Sequence, residues 1–231
     1  MTIMEKNTRI FRSLLAIITL VLTLPSVTCT QQSPAENIVN APHWKKLVSQ
    51  YRAEPNPAGE ICFFGDSITF GGKWREWIGN DAVTNRGIGG DTAWGLMARV
   101  DEVTEGKPAK IFILIGVNDL SWGEKTVQED AVQVAILIDT IKRQTPATTI
   151  FLQSVLPIID GKVDKCSNAE IDSMNVELKK IARDKQVTWI NLVPYFKDEN
   201  GQLKESFTRE GLHLTEPAYR EWLTVIDGYL K

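Results

Sequence analysis

The sequence predicts an α/β fold in which a central parallel sheet of about five strands lies between two layers of helices. Three observations predict this fold: short apolar segments recur along the chain, amphipathic helical segments alternate with them, and polar loops rich in glycine follow them. Because the strands of such a sheet are covered on both faces, each strand should be apolar along most of its length. A three-layer α/β/α sandwich is therefore expected.

Five segments fit the expected strands. Three are strongly apolar and two are weaker: EICFFG at 60–65, KIFILIG at 110–116 and TTIFLQSVL at 148–156, then AVTNRG at 82–87 and VTWINL at 187–192. In an open parallel sheet, binding sites form at the carboxyl ends of the strands. The loops that follow these segments are therefore the places to search for function.

Helices are predicted between the strands and at both ends of the domain. The segment HWKKLVSQYR at 43–52 predicts the first helix, and an apolar stripe after Pro217 predicts the last. Two capping boxes, Thr126 with Glu129 and Ser167 with Glu170, each mark the start of a long amphipathic helix.

The first 29 residues have the pattern of a secretory signal. Three basic residues precede an apolar run at 14–24, which is too short to be a permanent membrane anchor. The sequence SVTC, ending at Cys29, resembles a bacterial lipoprotein cleavage box, and lipid attachment at Cys29 and plain cleavage nearby both stay open. We expect a signal at 1–29, a polar tether at 30–42 and one domain at 43–231, located outside the cytoplasm of a bacterium.

Composition excludes several other classes of function. The chain has 231 residues, of which 43% are hydrophobic and 24% charged, and these values suit a single globular domain. The formal net charge of -3 provides no basic field for a nucleic-acid partner. The three cysteines give no disulfide framework, and no residues have metal-ligand or phosphate-loop spacing, so neither metal nor cofactor is expected.

Four loops carry the candidate chemistry. They are GDSIT at 65–69, NRGIGGDT at 85–92, GVND at 116–119 and EGLHLT at 210–215. Each loop alone is typical of an ordinary turn. The chain has only two histidines, and His43 lies in the predicted first helix near the tether, so His213 is the better candidate for a catalytic base.

Taken together, the four loops resemble the SGNH hydrolase family, also called GDSL-type esterases, whose sequence blocks supply serine, glycine, asparagine and histidine in this order. The resemblance spans residues 61–215 and implies a flavodoxin-like fold and a serine esterase mechanism without metal. It implies that Ser67 is the nucleophile, His213 the base and Glu210 the third triad member. It also implies an oxyanion hole formed by Ser67, Gly90 and Asn118.

Position 210 departs from the family, because the residue three before the histidine is usually aspartate. Glutamate can orient a histidine, but its longer side chain needs a different backbone path. If Glu210 turned outward, Ser67 and His213 would act as a dyad or the site would be crippled. For the acidic residues beside the motifs, which are Asp66, Asp91 and Asp119, hydrogen bonding in turns and helix caps is favoured over catalysis.

The resemblance is strongest to carbohydrate O-acetylesterases and to platelet-activating-factor acetylhydrolase-like members. It implies a small-molecule or carbohydrate ester substrate and a short acyl group, acetate above all. Four tryptophans near the loops are candidates either for stacking on sugar rings or for lining the core: Trp74, Trp77, Trp94 and Trp122. The alternatives are a lysophospholipase or thioesterase, which needs a longer apolar groove, and a non-catalytic surface binding protein.

Overall fold

The computed structural model describes residues 37–122 and 125–231. The predicted signal at 1–29 and the first part of the predicted tether lie outside the described residues. Among the helices within those two ranges, none combines the length and the apolar character needed to span a membrane.

A five-stranded sheet forms the centre of the domain, and all of its neighbouring strands are parallel. The strand order is β2-β1-β3-β4-β5, and each strand lies within a segment predicted from the sequence: β1 (Ile61–Gly65), β2 (Val83–Gly87), β3 (Lys110–Leu114), β4 (Thr149–Gln153) and β5 (Thr188–Ile190). The α/β/α prediction is confirmed, and the order is the flavodoxin-like one.

Ten α-helices are described within these ranges. They are α1 (Pro42–Ala53), α2 (Ser67–Phe70), α3 (Trp74–Ile78), α4 (Ala93–Ala98), α5 (Asp101–Thr104), α6 (Val117–Trp122), α7 (Val127–Gln144), α8 (Asn168–Asp184), α9 (Val193–Phe196) and α10 (Glu216–Leu230). Both predicted capping boxes are present, at the N-termini of α7 and α8. The first and last predicted helices correspond to α1 and α10.

The two faces of the sheet are covered by different helices. Side chains alternate across a strand, so neighbouring residues of β1 contact opposite layers. Phe63 stacks on Trp74 of α3 with ring centroids 4.2 Å apart, and Trp222 of α10 packs edge-on against the same tryptophan. On the other face, the Arg99 guanidinium lies 4.6 Å from the centroid of the Phe64 ring.

The packed domain begins before the predicted boundary at residue 43. Ile38, in a 3₁₀ turn at Ile38–Asn40, is buried in a second apolar cluster with Trp44, Val48, Tyr51 and Ile88. The expected tether at 30–42 therefore includes residues that pack on the domain. The composition of the segment is polar because only Ile38, Val39 and Ala41 are apolar contacts there, among glutamine, serine, glutamate and asparagine.

A buried arginine connects the carboxyl ends of the first two strands. The side chain of Arg99 is fully buried and donates from Nε to Asp91 Oδ2 at 2.8 Å. Its Nη2 donates to the carbonyl of Arg86 at 2.7 Å and to that of Gly65 at 3.2 Å. Because buried charges are costly without partners, these bonds hold the loops after β1 and β2 in one arrangement.

Buried carboxyl groups give the fold a pH dependence. Burial raises the pKa of Asp66 and Glu102 to about 7 and that of Asp130 to about 6. The unfolded chain releases these protons near pH 4, so between pH about 4 and 7 the folded state binds more protons than the unfolded state. The free energy of unfolding is therefore expected to fall as the pH rises from 5 to 8.

Asp130→Asn should reduce this pH dependence, because Asp130 Oδ2 is buried without a hydrogen-bond partner in the described part of the chain. We expect the variant to be more stable than the wild type at pH 8 by about 1–2 kcal/mol, with a smaller difference at pH 5. Urea unfolding at both pH values measures this. Asp139→Asn, at a half-exposed position on the same helix, is the control. An equal gain at both pH values would contradict the prediction.

Candidate active site

The turn after β1 presents Ser67 at the carboxyl edge of the sheet. Asp66 is the N-cap of α2, and its Oδ1 accepts a hydrogen bond from the backbone N–H of Ile68 at 2.8 Å. Ser67 is thus the first residue of a short helix, and its side chain is accessible while both neighbours are buried. The role of Asp66 is a capping one, as the sequence predicted.

Glycine at position 65 is required by close approach of the backbone. A β-carbon there would lie 2.3 Å from the carbonyl oxygen of Leu114 and 2.3 Å from Thr69 Oγ1. Any side chain would push the serine turn away from the end of β3. The glycine of the GDSIT motif therefore lets the turn pack directly on the neighbouring strand.

Two side chains that the sequence analysis did not single out hold α2 in place. Tyr219 of α10 donates its hydroxyl hydrogen to the carbonyl of Ile68 at 2.7 Å. Asn85 Nδ2 donates to three carbonyls at 2.8 to 3.1 Å, those of Thr69, Phe70 and Gly72. The signal for Asn85 was a polar residue inside a strand segment, directly before the glycine-rich loop. For Tyr219, the helical stripe indicated only burial.

His213 lies between Ser67 and Glu210. Its Nε2 is 3.0 Å from Ser67 Oγ. Glu210 Oε1 accepts hydrogen bonds from both the ring Nδ1 and the backbone N–H of His213, the latter at 3.0 Å. The carboxylate favours the tautomer with hydrogen on Nδ1, which leaves Nε2 free to accept from the serine hydroxyl. The structure thus brings the three predicted triad residues together, with the glutamate turned toward the histidine.

Glu210 is held as a carboxylate by its contacts. Burial acts to raise its pKa, but the hydrogen bonds from the His213 backbone and ring outweigh this, and the net pKa is lowered. The histidine and glutamate side chains are 48% and 51% exposed. Solvent therefore screens the interaction between the two side chains. The contact orients the imidazole ring and adds little to the free energy of unfolding.

The loop that carries His213 is closed by its own hydrogen bonds. Thr208 Oγ1 donates to the carbonyl of His213 at 3.0 Å and accepts from the backbone N–H of Gly211 at 2.9 Å. Gly211 has φ of +104°, a conformation that side chains rarely adopt. Within this loop the Glu210 carboxylate contacts both the ring and the backbone N–H of His213.

Gly90 lies in the loop after β2, and Asn118 lies in the first turn of α6, which follows β3. In the strand order these two strands flank β1, which leads to Ser67. Gly90 has φ of +76°, and no described residue accepts a hydrogen bond from its N–H. Asn118 Nδ2 donates to the carbonyl of Asp91 at 2.8 Å, next to Gly90. The second hydrogen of that amide remains available to a ligand.

The other acidic and hydroxyl residues of the motifs have the structural roles that the sequence favoured. Thr92 caps α4 by accepting from the N–H of Gly95 at 3.1 Å. The buried Asp119 carboxylate accepts from the N–H of Ala93 at 3.0 and 3.2 Å. These bonds connect the N-terminus of α4 to α6, since Ala93 begins α4 and Asp119 lies in α6.

The four candidate tryptophans divide between core and surface. Trp74 is 1% exposed and stacked within the core, which excludes it as a sugar platform. Trp77, Trp94 and Trp122 are half-buried. A cation covers two of the three, since Arg220 lies 4.8 Å from the Trp77 centroid and Lys125 lies 5.7 Å from that of Trp94.

A cavity of about 470 Å³ adjoins the triad on the side of Glu210. Its lining is mostly polar or charged: Ile159, Lys162, Glu205, Thr208, Arg209, Glu210 and Gly211. A larger cavity of about 670 Å³ lies between α3 and the edge strand β2, and none of the triad residues lines it. The cavity beside Glu210 is therefore the better candidate for binding part of a substrate, because a residue of the triad lines it.

Comparison with known proteins decides the family. The model of the GDSL-like lipase/acylhydrolase family matches residues 63–221, more than half of the chain. This chain belongs to the GDSL-like lipase/acylhydrolase family. The resemblance to this family that was inferred from the four loops is confirmed.

Solved structures resemble the GDSL-like chain over most of its length. A Streptococcus pneumonia protein named for platelet activating factor is 29% identical, with a TM-score of 0.73, and the match covers 82% of this chain and 93% of that one. A GDSL-like lipase from Bacteroides thetaiotaomicron is 22% identical, with a TM-score of 0.71 and 81% and 96% covered. An acetyl xylan esterase is 20% identical, with a TM-score of 0.62 and 74% and 100% covered. The latter two show a common fold.

A curated relative is the N-acylneuraminate cytidylyltransferase of Escherichia coli. It is 28% identical over 197 residues, which are 84% of this chain and 46% of the relative. The GDSL-like chain therefore spans less than half of the length of that relative.

Proposed function

We propose that the chain hydrolyses short-chain esters, acetyl esters above all, through an acyl-enzyme on Ser67. The observation that carries this proposal is the contact of Ser67 Oγ with His213 Nε2 at 3.0 Å, with Glu210 on the other ring nitrogen. A serine hydroxyl is a weak nucleophile until a base takes its proton, and this geometry supplies the base.

The reaction follows from the geometry in two halves. His213 Nε2 takes the hydroxyl proton as Ser67 Oγ attacks the ester carbonyl, and the resulting imidazolium is stabilised by Glu210. The tetrahedral intermediate then collapses, the alcohol leaves with the proton from Nε2, and the acyl group stays on Ser67. Water repeats the sequence in place of serine, which releases the carboxylic acid and restores the enzyme.

The oxyanion of each intermediate needs donors that are free before the substrate binds. We assign this role to the backbone N–H groups of Ser67 and Gly90 and to the Asn118 side-chain amide. Two of these donors have no acceptor among the described residues, and this supports the assignment. They are the N–H of Gly90 and the N–H of Ser67, which stands at the first position of a helix. The Asn118 amide keeps one hydrogen for the oxyanion.

A carbohydrate alcohol group is proposed for the substrate. The cavity beside Glu210 supports this, because its charged and hydroxyl side chains suit the hydroxyl groups of a sugar more than an acyl chain. The names of two similar proteins, an acetyl xylan esterase and an N-acylneuraminate cytidylyltransferase, both refer to carbohydrate substrates. Acetylated oligosaccharides are therefore the natural compounds to test after simple esters.

One observation favours a lipid acyl hydrolase as the second candidate. Phe70, one helical turn after Ser67, is 49% exposed and provides apolar surface near the nucleophile. A lysophospholipase or thioesterase would use such surface for a long acyl chain.

Hydrolysis of p-nitrophenyl esters of increasing acyl length separates the two candidates. We expect kcat/KM to be highest for acetate and to fall at least about tenfold at octanoate, because the cavity beside Glu210 is lined mostly by polar or charged side chains and does not suit a long acyl group. The Ser67→Ala variant serves as the blank. A kcat/KM that rises toward long chains would reject the acetyl proposal and support the lipid one.

We further propose that the enzyme acts outside the bacterial cytoplasm, either released after cleavage near residue 29 or tethered through a lipid on Cys29. The basic and apolar pattern of the first 29 residues supports this proposal. Intact-mass measurement of the protein from the native host checks it, and a chain that retains residues 1–29 would contradict it.

A further inference from the structure

Helix α1 packs on the loop that carries Gly90. Tyr51 donates its hydroxyl hydrogen to the carbonyl of Gly87 at 2.7 Å, and Trp44 Nε1 donates to Asp91 Oδ1 at 3.1 Å. Between these two contacts, His43 Nε2 lies 2.9 Å from the carbonyl oxygen of Gly89. One face of α1 therefore contacts the loop at both ends and at its centre.

The contact of His43 is made to the peptide group that matters for the proposed oxyanion hole. The carbonyl of Gly89 and the N–H of Gly90 belong to one planar peptide unit and point in opposite directions. A bond that fixes the carbonyl therefore fixes the direction of the N–H. The carbonyl can only accept, so His43 Nε2 donates, and it does so whether the ring is neutral or charged.

The backbone N–H of Asp91 donates to the carbonyl of Ile88 at 3.1 Å and closes a turn around this peptide unit. That bond fixes the ends of the turn, whereas the bond from His43 fixes the direction of its central peptide. Gly89 has no atom within 4 Å of the position that a β-carbon would occupy, and Gly90 has φ of +76°. Two successive glycines leave the peptide between them free to rotate, since no side chain restricts either residue. Acceptance of a hydrogen bond at the carbonyl also polarises the amide and strengthens its N–H as a donor.

We propose that His43 is a positioning residue that fixes the Gly89–Gly90 peptide so that the Gly90 N–H points at the oxyanion. This inference rests on the proposed function, because it requires Gly90 to be an oxyanion donor. It gives a role to His43, the histidine outside the triad, and it makes helix α1 part of the support of the active site.

The test compares His43→Leu and His43→Gln with the wild type, all as full-length chains, using p-nitrophenyl acetate. We expect His43→Leu to lower kcat about tenfold and to change KM less than about twofold. Without His43 the Gly90 N–H would not point at the oxyanion, and that hydrogen bond stabilises the transition state more than the bound substrate. His43→Gln keeps an amide donor and should retain kcat within about threefold of the wild type. The rate of labelling by a fluorophosphonate should fall in parallel with kcat.

Tyr51→Phe is the matched control. This variant removes a hydrogen bond that the same helix donates to the same loop, at the carbonyl of Gly87. The N–H of that peptide unit belongs to Ile88 and already donates to the carbonyl of Gly65. We expect this variant to lose thermal stability and to keep its kcat. The inference would be overturned if His43→Leu kept the wild-type kcat, or if both variants lowered kcat equally.

The outcomes for the inference and for the proposed function are distinguishable. If the wild type is active, Ser67→Ala is inactive and His43→Leu has the wild-type kcat, only the positioning role of His43 is rejected. If Ser67→Ala keeps the wild-type activity, the serine mechanism fails, and the role of His43 in an oxyanion hole fails with it.

Discussion

Replacing Ser67 with alanine is expected to lower kcat for p-nitrophenyl acetate by about 10⁴-fold or more, because no other described hydroxyl contacts His213 Nε2. His213→Ala should cost about as much. Since the two residues act as one unit, the double variant should be no slower than either single variant. Steady-state hydrolysis measures all three.

The fold should survive the change at Ser67. The turn is held by Asp66 at its N-cap and by Tyr219 on the carbonyl of Ile68, and neither contact uses the serine hydroxyl. Thermal unfolding is therefore expected to stay close to that of the wild type. Ser173→Ala, on the exposed surface of α8, is the control for loss of a hydroxyl and should keep full activity. Wild-type activity in Ser67→Ala would reject the mechanism.

Replacing Glu210 with alanine is expected to lower kcat about a thousandfold. The carboxylate selects the ring tautomer that can accept the serine proton, and it stabilises the imidazolium that follows. The loss should be smaller than for Ser67, because the pair is half-exposed and water can partly replace the carboxylate. Measurement of kcat and KM separates this effect from substrate binding, and KM should change little.

The aspartate variant tests whether length matters at this position. In Glu210→Asp, the side chain is shorter by one methylene and cannot reach both the ring and the backbone N–H of His213 from an unchanged loop. We expect kcat between those of the wild type and Glu210→Ala. If Glu210→Ala had the wild-type kcat, Ser67 and His213 would act as a dyad, and the assignment of Glu210 as the third triad residue would be rejected.

Much of the fold could be predicted because the signals are local. Three of the five strands are short runs of mostly apolar residues. The caps at Thr126 and Ser167 are four-residue patterns whose hydrogen bonds form within one helical turn. The candidate triad could also be named from the sequence, because the resemblance of the four loops to the SGNH family implies Ser67, His213 and Glu210, and the structure places these three side chains in contact.

The remaining features depend on contacts between residues far apart in the chain. Asn85, Arg99 and Tyr219 support the serine turn across separations that no local pattern reveals. Composition suggested a tether before residue 43, yet Ile38 packs against the domain. The direction of Glu210 also depended on the path of its loop, which the sequence could not show.

The proposed serine mechanism is tested most sharply by the site of covalent labelling. We would react the full-length wild type and the Ser67→Ala variant with a fluorophosphonate and locate the adduct by mass spectrometry of peptides. We expect one adduct on Ser67, loss of ester hydrolysis in proportion to labelling, and no adduct in the variant. An active wild type that stays unlabelled at Ser67 would contradict this mechanism.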